Sequence, residues 1–378
     1  MSTVAEVLVD TLDRVGVKQI FGLIGDSLNP IADAVRRTKI EWIGVRHEEG
    51  AALAAAGQAK LTGQLGVCCG TTGPGSTHLV PGLYEANRDH APVLALSGEM
   101  ARKQLGTDYF QATNTDLLFR DVSLYTETVS SPEQAPAVIH QAISAAYAGR
   151  GVAHLTLPAD VLQATVAAGV SSIATLSPLP EVFPTEEAIA DAAKRIDASR
   201  RIVIMCGAGC RGAAIGSFNN GAVGTALGQA NGIQALDRAR QVIALCGDGG
   251  FNMLMSEFLT AVHHRLPVKV VVYNNGAFGL IVLEAEALGM AAYRKGIEFP
   301  NPDYVALARA CGAHGFRAAQ PGELRATIEQ ALKVDGPAII DCAVVSDEMP
   351  NFPHIEVDQA GRYAVAKIKE VLDSVVGR

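Results

Sequence analysis

Two segments of the chain carry residue types that suit a metal-bound anion. Gly247-Asp248-Gly249-Gly250 closes the apolar run QVIALC, and 27 positions after Asp248 stands Asn275, the second of the asparagine pair that ends VKVVVYNN. A carboxylate and an amide oxygen at the carboxyl ends of two strands suit a small hard cation such as Mg²⁺, whose octahedral oxygen shell is completed by water and phosphate. The glycines let the backbone approach a diphosphate closely, and a helix expected from about Phe251 would aim its N–H groups at that anion. Strand-to-helix turns also use Gly, Asp and Asn for purely local reasons, so GDG alone reads equally well as an ordinary turn. The spaced Asn tips the balance towards a metal and diphosphate site. Two other groups do not reach that level: His263-His264 lacks a matching ligand pair, and Cys206 and Cys210 flank a GAG turn without a second cysteine pair, which argues against zinc.

Such residues need strand ends to hold them. Short apolar, β-branched runs (QIFGLIG, IEWIGV, LGVCCG, PVLALSG, VAHLTLP, RIVIMCG, QVIALCG, VKVVVYNN, PAIIDCAVV) alternate with longer helical stretches. Continuous apolar strands between helices indicate an α/β fold whose parallel sheets are covered on both faces. The stretch between Val166 and Pro184, rich in Ala, Ser, Thr and Pro, lacks an apolar period and reads as a linker. It bounds a first domain, residues 1–165, with room for five or six strands. From Glu186 a helix, the strand RIVIMC and the turn Gly207-Ala208-Gly209-Cys210-Arg211-Gly212 open a βα unit that does not continue. Residues 166–213 are therefore linker and remnant, and 214–378 form the C-terminal domain.

The 378 residues, 49% hydrophobic and 19% charged, suffice for two sizeable cores. With 31 Lys and Arg against 39 Asp and Glu, the net charge of −8 argues against nucleic acid or an anionic membrane as the main partner. No apolar run reaches the roughly 18 residues of a spanning helix. The seven cysteines lie mostly within apolar runs and read as buried thiols, and together with the lack of a secretory segment they point to a cytoplasmic protein.

GDGG, the stretch FNMLMSEFLTAVHHRLPVKVVVY and the terminal NN together resemble the fingerprint of thiamine-diphosphate-dependent enzymes, most closely the pyruvate oxidase and quinone-linked pyruvate dehydrogenase branch, with acetolactate synthase as a further relative. The resemblance implies thiamine diphosphate with Mg²⁺ held by Asp248, Asn275 and the backbone carbonyl of Ala277. It implies that Glu48, in Arg46-His47-Glu48-Glu49-Gly50, is the glutamate that meets the aminopyrimidine ring, where a carboxyl on ring nitrogen N1′ promotes loss of the thiazolium C2 proton. By type alone HEEG is an acidic helix N-terminus favoured by the dipole. Gly25-Asp26-Ser27, Thr72-Gly73-Pro74-Gly75 and Phe110-Gln111 match segments that line the site. Gln111 is the candidate for touching substrate, while Phe110 by type is a packing residue. Gly221-Ala222-Val223-Gly224 resembles the segment that wedges the cofactor into its bent shape. Val223 is shorter there than the usual Met or Leu, and Gly228, replacing a common proline, is expected to loosen the backbone.

Members of that family are longer, and the difference is internal. A complete middle domain, which holds FAD in the oxidase branch, is represented here only by its first helix, strand and turn. The implied architecture is two parallel-sheet thiamine-diphosphate-binding domains with a truncated middle α/β remnant between them, and the missing part argues against FAD. Because RIVIMC has no partner strands, the backbone across Ala213–Ser217 is expected to be broken or strained rather than smooth. The implied activity is decarboxylation of pyruvate or a close 2-oxo acid by a homodimer or homotetramer. Carboligation, or a deletion product that binds cofactor poorly, stands as the alternative. Val365, Ile368, Leu372 and Val375 recur at helical spacing near the C-terminus. The mixed charges of Lys367, Lys369, Glu370 and Asp373 favour a helix packed on its own domain over membrane contact.

Overall fold

A computed structural model of the chain describes residues 2–166, 185–198, 215–217, 219–345 and 357–376. It contains two compact units, Met1–Leu236 and Asp237–Arg378. RIVIMC and its GAG turn, Cys206 and Cys210 included, lie outside the described residues. So do Ala213 and Ala214, in the Ala213–Ser217 stretch where a break or strain was expected. Of the expected remnant, the helix Glu186–Asp197 is described.

The first unit is built on six parallel strands: β1 (Gln19–Gly22), β2 (Glu41–Gly44), β3 (Gly66–Gly70), β4 (Val93–Glu99), β5 (Tyr125–Thr128) and β6 (Val152–Pro158), in the order β2-β1-β3-β4-β6-β5. The four inner strands are buried at every position, as apolar runs under helices on both faces require. The strand Tyr125–Thr128 is absent from the sequence reading because YTET has no apolar run. It sits at the sheet edge, half covered, and pairs only with β6. Chain order reverses at β1, with β2 on one side and β3 on the other, which opens a crevice at the carboxyl ends of β1 and β3.

The helix Glu48–Thr62 leads from that crevice. His47 caps it, its Nδ1 accepting from the Glu49 N–H at 3.3 Å, and Gly63 ends it in the left-handed region at φ 70°. Its alanines and Gly57 give it a small-residue face on which the helix Thr225–Leu236 lies very close. A Cβ on Gly57 would come within 2.6 Å of the Gln229 carbonyl, and one on Gly232 within 2.0 Å of the Ala54 carbonyl. Gly228, expected to loosen the backbone, instead stands inside this helix, where an added Cβ would meet the Leu53 side chain at 2.8 Å. Where the sequence reading opens the C-terminal domain at 214, the segment Ile215–Leu236 thus packs in the first unit. A buried charge cluster fastens it. The Lys60 ammonium lies against Glu85 and Asp89, Ser217 Oγ donates to Glu85, and the Asn219 amide donates to Asp89 at 2.8 Å.

The second unit carries four parallel strands, β7 (Ile243–Gly247), β8 (Lys269–Asn274), β9 (His314–Ala318) and β10 (Ala338–Ala343), in the order β7-β8-β10-β9. Here too an edge strand, HGFRA, escapes the sequence reading for want of an apolar run. The expectation of cover on both faces fails at β7, where burial alternates and Ile243 and Leu245 are 45% and 59% exposed. The expected helix from Phe251 begins instead at Asp248 and ends at Met253; Glu257–His263 is a separate helix.

Among the described residues no helix is long and apolar enough to cross a membrane. The C-terminal helix Val357–Val376 does pack on its own unit, against the helix Gly279–Ala287. It does so through Ala366 and the Lys367 bond to Glu286, however, while Val365, Ile368 and Leu372 face outward. Apolar spacing located the helix, but the apolar residues it rests on are not the ones that are buried. Cys68, Cys69, Cys246 and Cys342 are buried free thiols as expected; Cys311 is only half-buried.

Candidate functional site

Residues from four separate parts of the sequence meet at the β1/β3 crevice. Asp26 and Ser27 begin the turn after β1, and the Asp26 carboxylate accepts from the Ser27 N–H at 2.8 Å. Ser27 Oγ lies 2.8 Å from Thr71 Oγ1 and accepts from the Thr72 N–H, tying this turn to the one after β3. There Gly73 adopts φ +68°, open to glycine at little cost, and Pro74 starts the short helix Pro74–Thr77. An added Cβ on Gly75 would stand 3.2 Å from Glu48 Oε1, so the absence of a side chain keeps that oxygen uncovered.

Glu48 is the first residue of its helix, where the unpaired N–H groups favour a carboxylate. It is nearly buried, and its Oε2 lies 3.2 Å from His78 Nδ1. The His78 ring stacks on His47 with centroids 4.5 Å apart. Burial holds the neighbouring Glu49 carboxyl above the ordinary range, and His47 and His78 partly offset that rise. Gln111 stands beside Gly73, where an added Cβ would come within 2.6 Å of the Gln111 carbonyl, and it too has positive φ, 63°. Phe110 is not the packing residue its type suggests: it is 78% exposed on the loop after β4. Gly221, at φ 65°, has open space around its α-carbon, and Val223 two positions on is more than half exposed.

In the second unit the strand ends bring Asp248 and Asn275 together. Asp248 is buried, and its Oδ2 accepts from the N–H groups of Asn275 (3.1 Å) and Gly276 (2.6 Å) and from the Asn301 side chain (2.7 Å). Its Oδ1 accepts from the Gly249 N–H at 2.8 Å, which leaves that oxygen a lone pair for a further partner. Asn275 Oδ1 accepts from the Ala277 N–H at 3.1 Å, and the Ala277 carbonyl accepts from the Gly279 N–H at 2.9 Å. A Cβ on Gly247 would meet nothing within 4 Å, leaving the backbone open to an approaching anion, whereas Gly249 is closed in by the Phe278 ring. Gly250 is half-buried in the first turn of the helix.

Among the described residues no three His, Cys, Asp or Glu side chains are grouped to hold a metal. One buried carboxylate, one amide and one backbone carbonyl form an all-oxygen set, the chemistry that suits Mg²⁺ completed by water and phosphate. The residues present fit that ion.

Several residues with a place in these groups went unread in the sequence. Asn301 donates to Asp248 and, at 2.8 Å, to Asn274, and accepts from the Asn252 amide and the Tyr304 hydroxyl. Tyr304 is fully buried, and burial together with the Asp248 charge raises its phenol above the ordinary range. In the sequence, Asn301-Pro302-Asp303 reads as a helix start, and Asp303 does cap Tyr304–Ala310. His78 carried no signal beyond standing three residues after Gly75.

Residues 2–118 match the model of the thiamine pyrophosphate (thiamine diphosphate) enzyme N-terminal TPP binding domain, and residues 205–342 match that of the C-terminal TPP binding domain. A 42.6 kDa protein encoded in the isoamylase 3′ region of Pseudomonas amyloderamosa is 45% identical over 212 residues, 56% of this chain and 54% of its own length. The pyruvate oxidase of Lactiplantibacillus plantarum is 40% identical over 210 residues, 54% of this chain but 34% of the enzyme. A putative thiamine pyrophosphate-containing protein of Bacillus subtilis, YdaP, aligns at 24% identity over 557 positions, covering 98% of this chain and 96% of its own. The chain thus matches 54% and 34% of the length of two of these relatives, and its alignment with the third runs over 557 positions against its own 378 residues. With both domain models matched, the chain belongs to the thiamine pyrophosphate enzyme family.

Proposed function

We propose that the chain binds thiamine diphosphate with Mg²⁺ and decarboxylates pyruvate or a close 2-oxo acid, as a homodimer or homotetramer. The observation that carries this reading is Glu48: a nearly buried carboxylate at a helix N-terminus, opening on the glycine turn Gly73-Pro74-Gly75 at a strand-order switch point. Bound thiamine diphosphate supplies an acidic carbon and an electron sink. The protein's own part is to hold and move protons and to fix the anion. Glu48 would share a proton with the pyrimidine ring nitrogen, Asp248, Asn275 and the Ala277 carbonyl would hold Mg²⁺, and backbone N–H groups from Gly247 onward would be available to the diphosphate. Gln111, beside Gly73, orients the 2-oxo acid, and Phe110 on the same loop shields it from water.

Release of CO₂ from pyruvate with added thiamine diphosphate and Mg²⁺ is the test. Glu48→Gln is expected to bind the cofactor and lose hydrogen–deuterium exchange at its C2 carbon, since an amide cannot share that proton. Exchange at the unmodified rate in the variant would remove Glu48 from the reaction. Carboligation is the second reading, supported by the sequence between residues 166 and 213, which resembles only the start of the middle domain that holds FAD in the oxidase branch. Acetolactate formation without reduction of a quinone acceptor would establish it.

A further inference from the structure

We infer that His78 is a positioning residue that passes protons between Glu48 and solvent, an inference that rests on the cofactor reading above. The Glu48 side chain is 8% exposed and the His78 side chain 47% exposed, and their atoms lie 3.2 Å apart, so the imidazole joins a buried carboxyl to water. His47 stacks on His78 at an interplanar angle of 24° and restrains its ring, while the His47 Nδ1 is itself engaged by the Glu49 N–H. Two ring nitrogens on opposite sides of one imidazole are what a relay needs.

With the carboxylate ionised, the contact assigns the His78 proton to Nδ1, which donates to Glu48 Oε2 and leaves Nε2 to accept from water. Delivery of a proton to Glu48 moves the Nδ1 proton onto Oε2 while water protonates Nε2. The reverse returns the carboxyl proton to Nδ1 and releases the Nε2 proton. Each passage moves one proton and leaves the net charge of His78 unchanged. Glu49, His47 and His78 are titratable groups gathered around Glu48, and the buried Cys69 thiol also feels the Glu48 charge.

The test uses the full chain with thiamine diphosphate and Mg²⁺, comparing His78→Asn and His78→Ala. Asn can still donate to Glu48 but has no second proton site; Ala has neither. Calorimetry is expected to give the same cofactor Kd for the Asn variant, while C2 exchange slows by about 100-fold, the scale of a lost acid–base group. Added imidazole is expected to recover part of the rate in His78→Ala. In the cofactor-free chain, ¹⁵N resonances of the His78 ring should show a protonated Nδ1 that shifts towards the other tautomer in Glu48→Ala. Wild-type exchange in His78→Asn would overturn the relay while loss of exchange in Glu48→Gln left the cofactor reading standing. Wild-type exchange in Glu48→Gln would overturn both.

Discussion

Asn301 donates one side-chain amide to Asp248 Oδ2 at 2.7 Å and to Asn274 Oδ1 at 2.8 Å, bridging the ends of β7 and β8. Its carbonyl oxygen accepts from Asn252 and Tyr304. The proposed metal carboxylate is therefore aimed by a residue that would not itself touch the metal. Asn301→Ala leaves Oδ2 short of a donor and the Asn252 amide without its acceptor, while the Tyr304 hydroxyl keeps Asn252 Oδ1 at 2.9 Å. Such second partners are worth about 10- to 100-fold in metal affinity, and that loss in Mg²⁺ binding is the expected calorimetric result.

Asp248→Ala removes the one carboxylate of the proposed set. Thiamine diphosphate binding is expected to lose its dependence on Mg²⁺ altogether. Unchanged affinity and an unchanged metal requirement in titration calorimetry would show that the ion sits elsewhere.

The close approach of the helices Glu48–Thr62 and Thr225–Leu236 rests on missing side chains. Gly232→Ala would push a methyl to 2.0 Å from the Ala54 carbonyl, so the helices must part. Overpacking of this kind costs about 1–3 kcal/mol, measurable by urea unfolding. Gly221→Ala, with open space around it, carries only the left-handed backbone strain and no loss of helix packing.

Lys60 neutralises part of a buried pair of carboxylates, Glu85 and Asp89. Removing one member of such a cluster leaves uncompensated charge, and Lys60→Met is expected to destabilise the first unit by about 3–5 kcal/mol. Glu85→Gln in the same background should recover part of that loss, since it removes one of the stranded charges.

His154 is fully buried, hydrogen-bonded to Thr126 and Ser97 and stacked on Phe119, and burial pushes its pKa down to about 3. In the unfolded chain it takes up a proton near pH 6.5, so between those values the unfolded state binds more protons. Its contribution is fully present above about pH 6.5 and is lost as pH falls towards 3, at up to about 1.4 kcal/mol per pH unit. A plot of unfolding free energy against pH should be flatter for His154→Gln than for the unmodified chain across that window.

The sequence alone determined the α/β class, most strands and both phosphate-type turns, because a strand buried on both faces must be apolar throughout and a turn at a strand end must use Gly, Asp or Asn. It also singled out Asp248 by the spacing of GDGG to the asparagine pair, and Glu48 only through the family resemblance, since HEEG by type is an ordinary helix start. The edge strands YTET and HGFRA were illegible, since a half-covered strand needs no apolar run. The C-terminal helix was legible but its buried side was not, because Lys367 packs by pairing with Glu286 while the apolar stripe stays outside. Only the tertiary structure decided that His78 meets Glu48 and that Asn301 meets Asp248. These pairs lie 30 and 53 positions apart, and a hydrogen bond between distant residues leaves no periodic trace in the chain. It likewise decided where the helix Thr225–Leu236 goes: its glycines allow close approach to any small-residue face, and the Ala-rich face of Glu48–Thr62 is the one that received it.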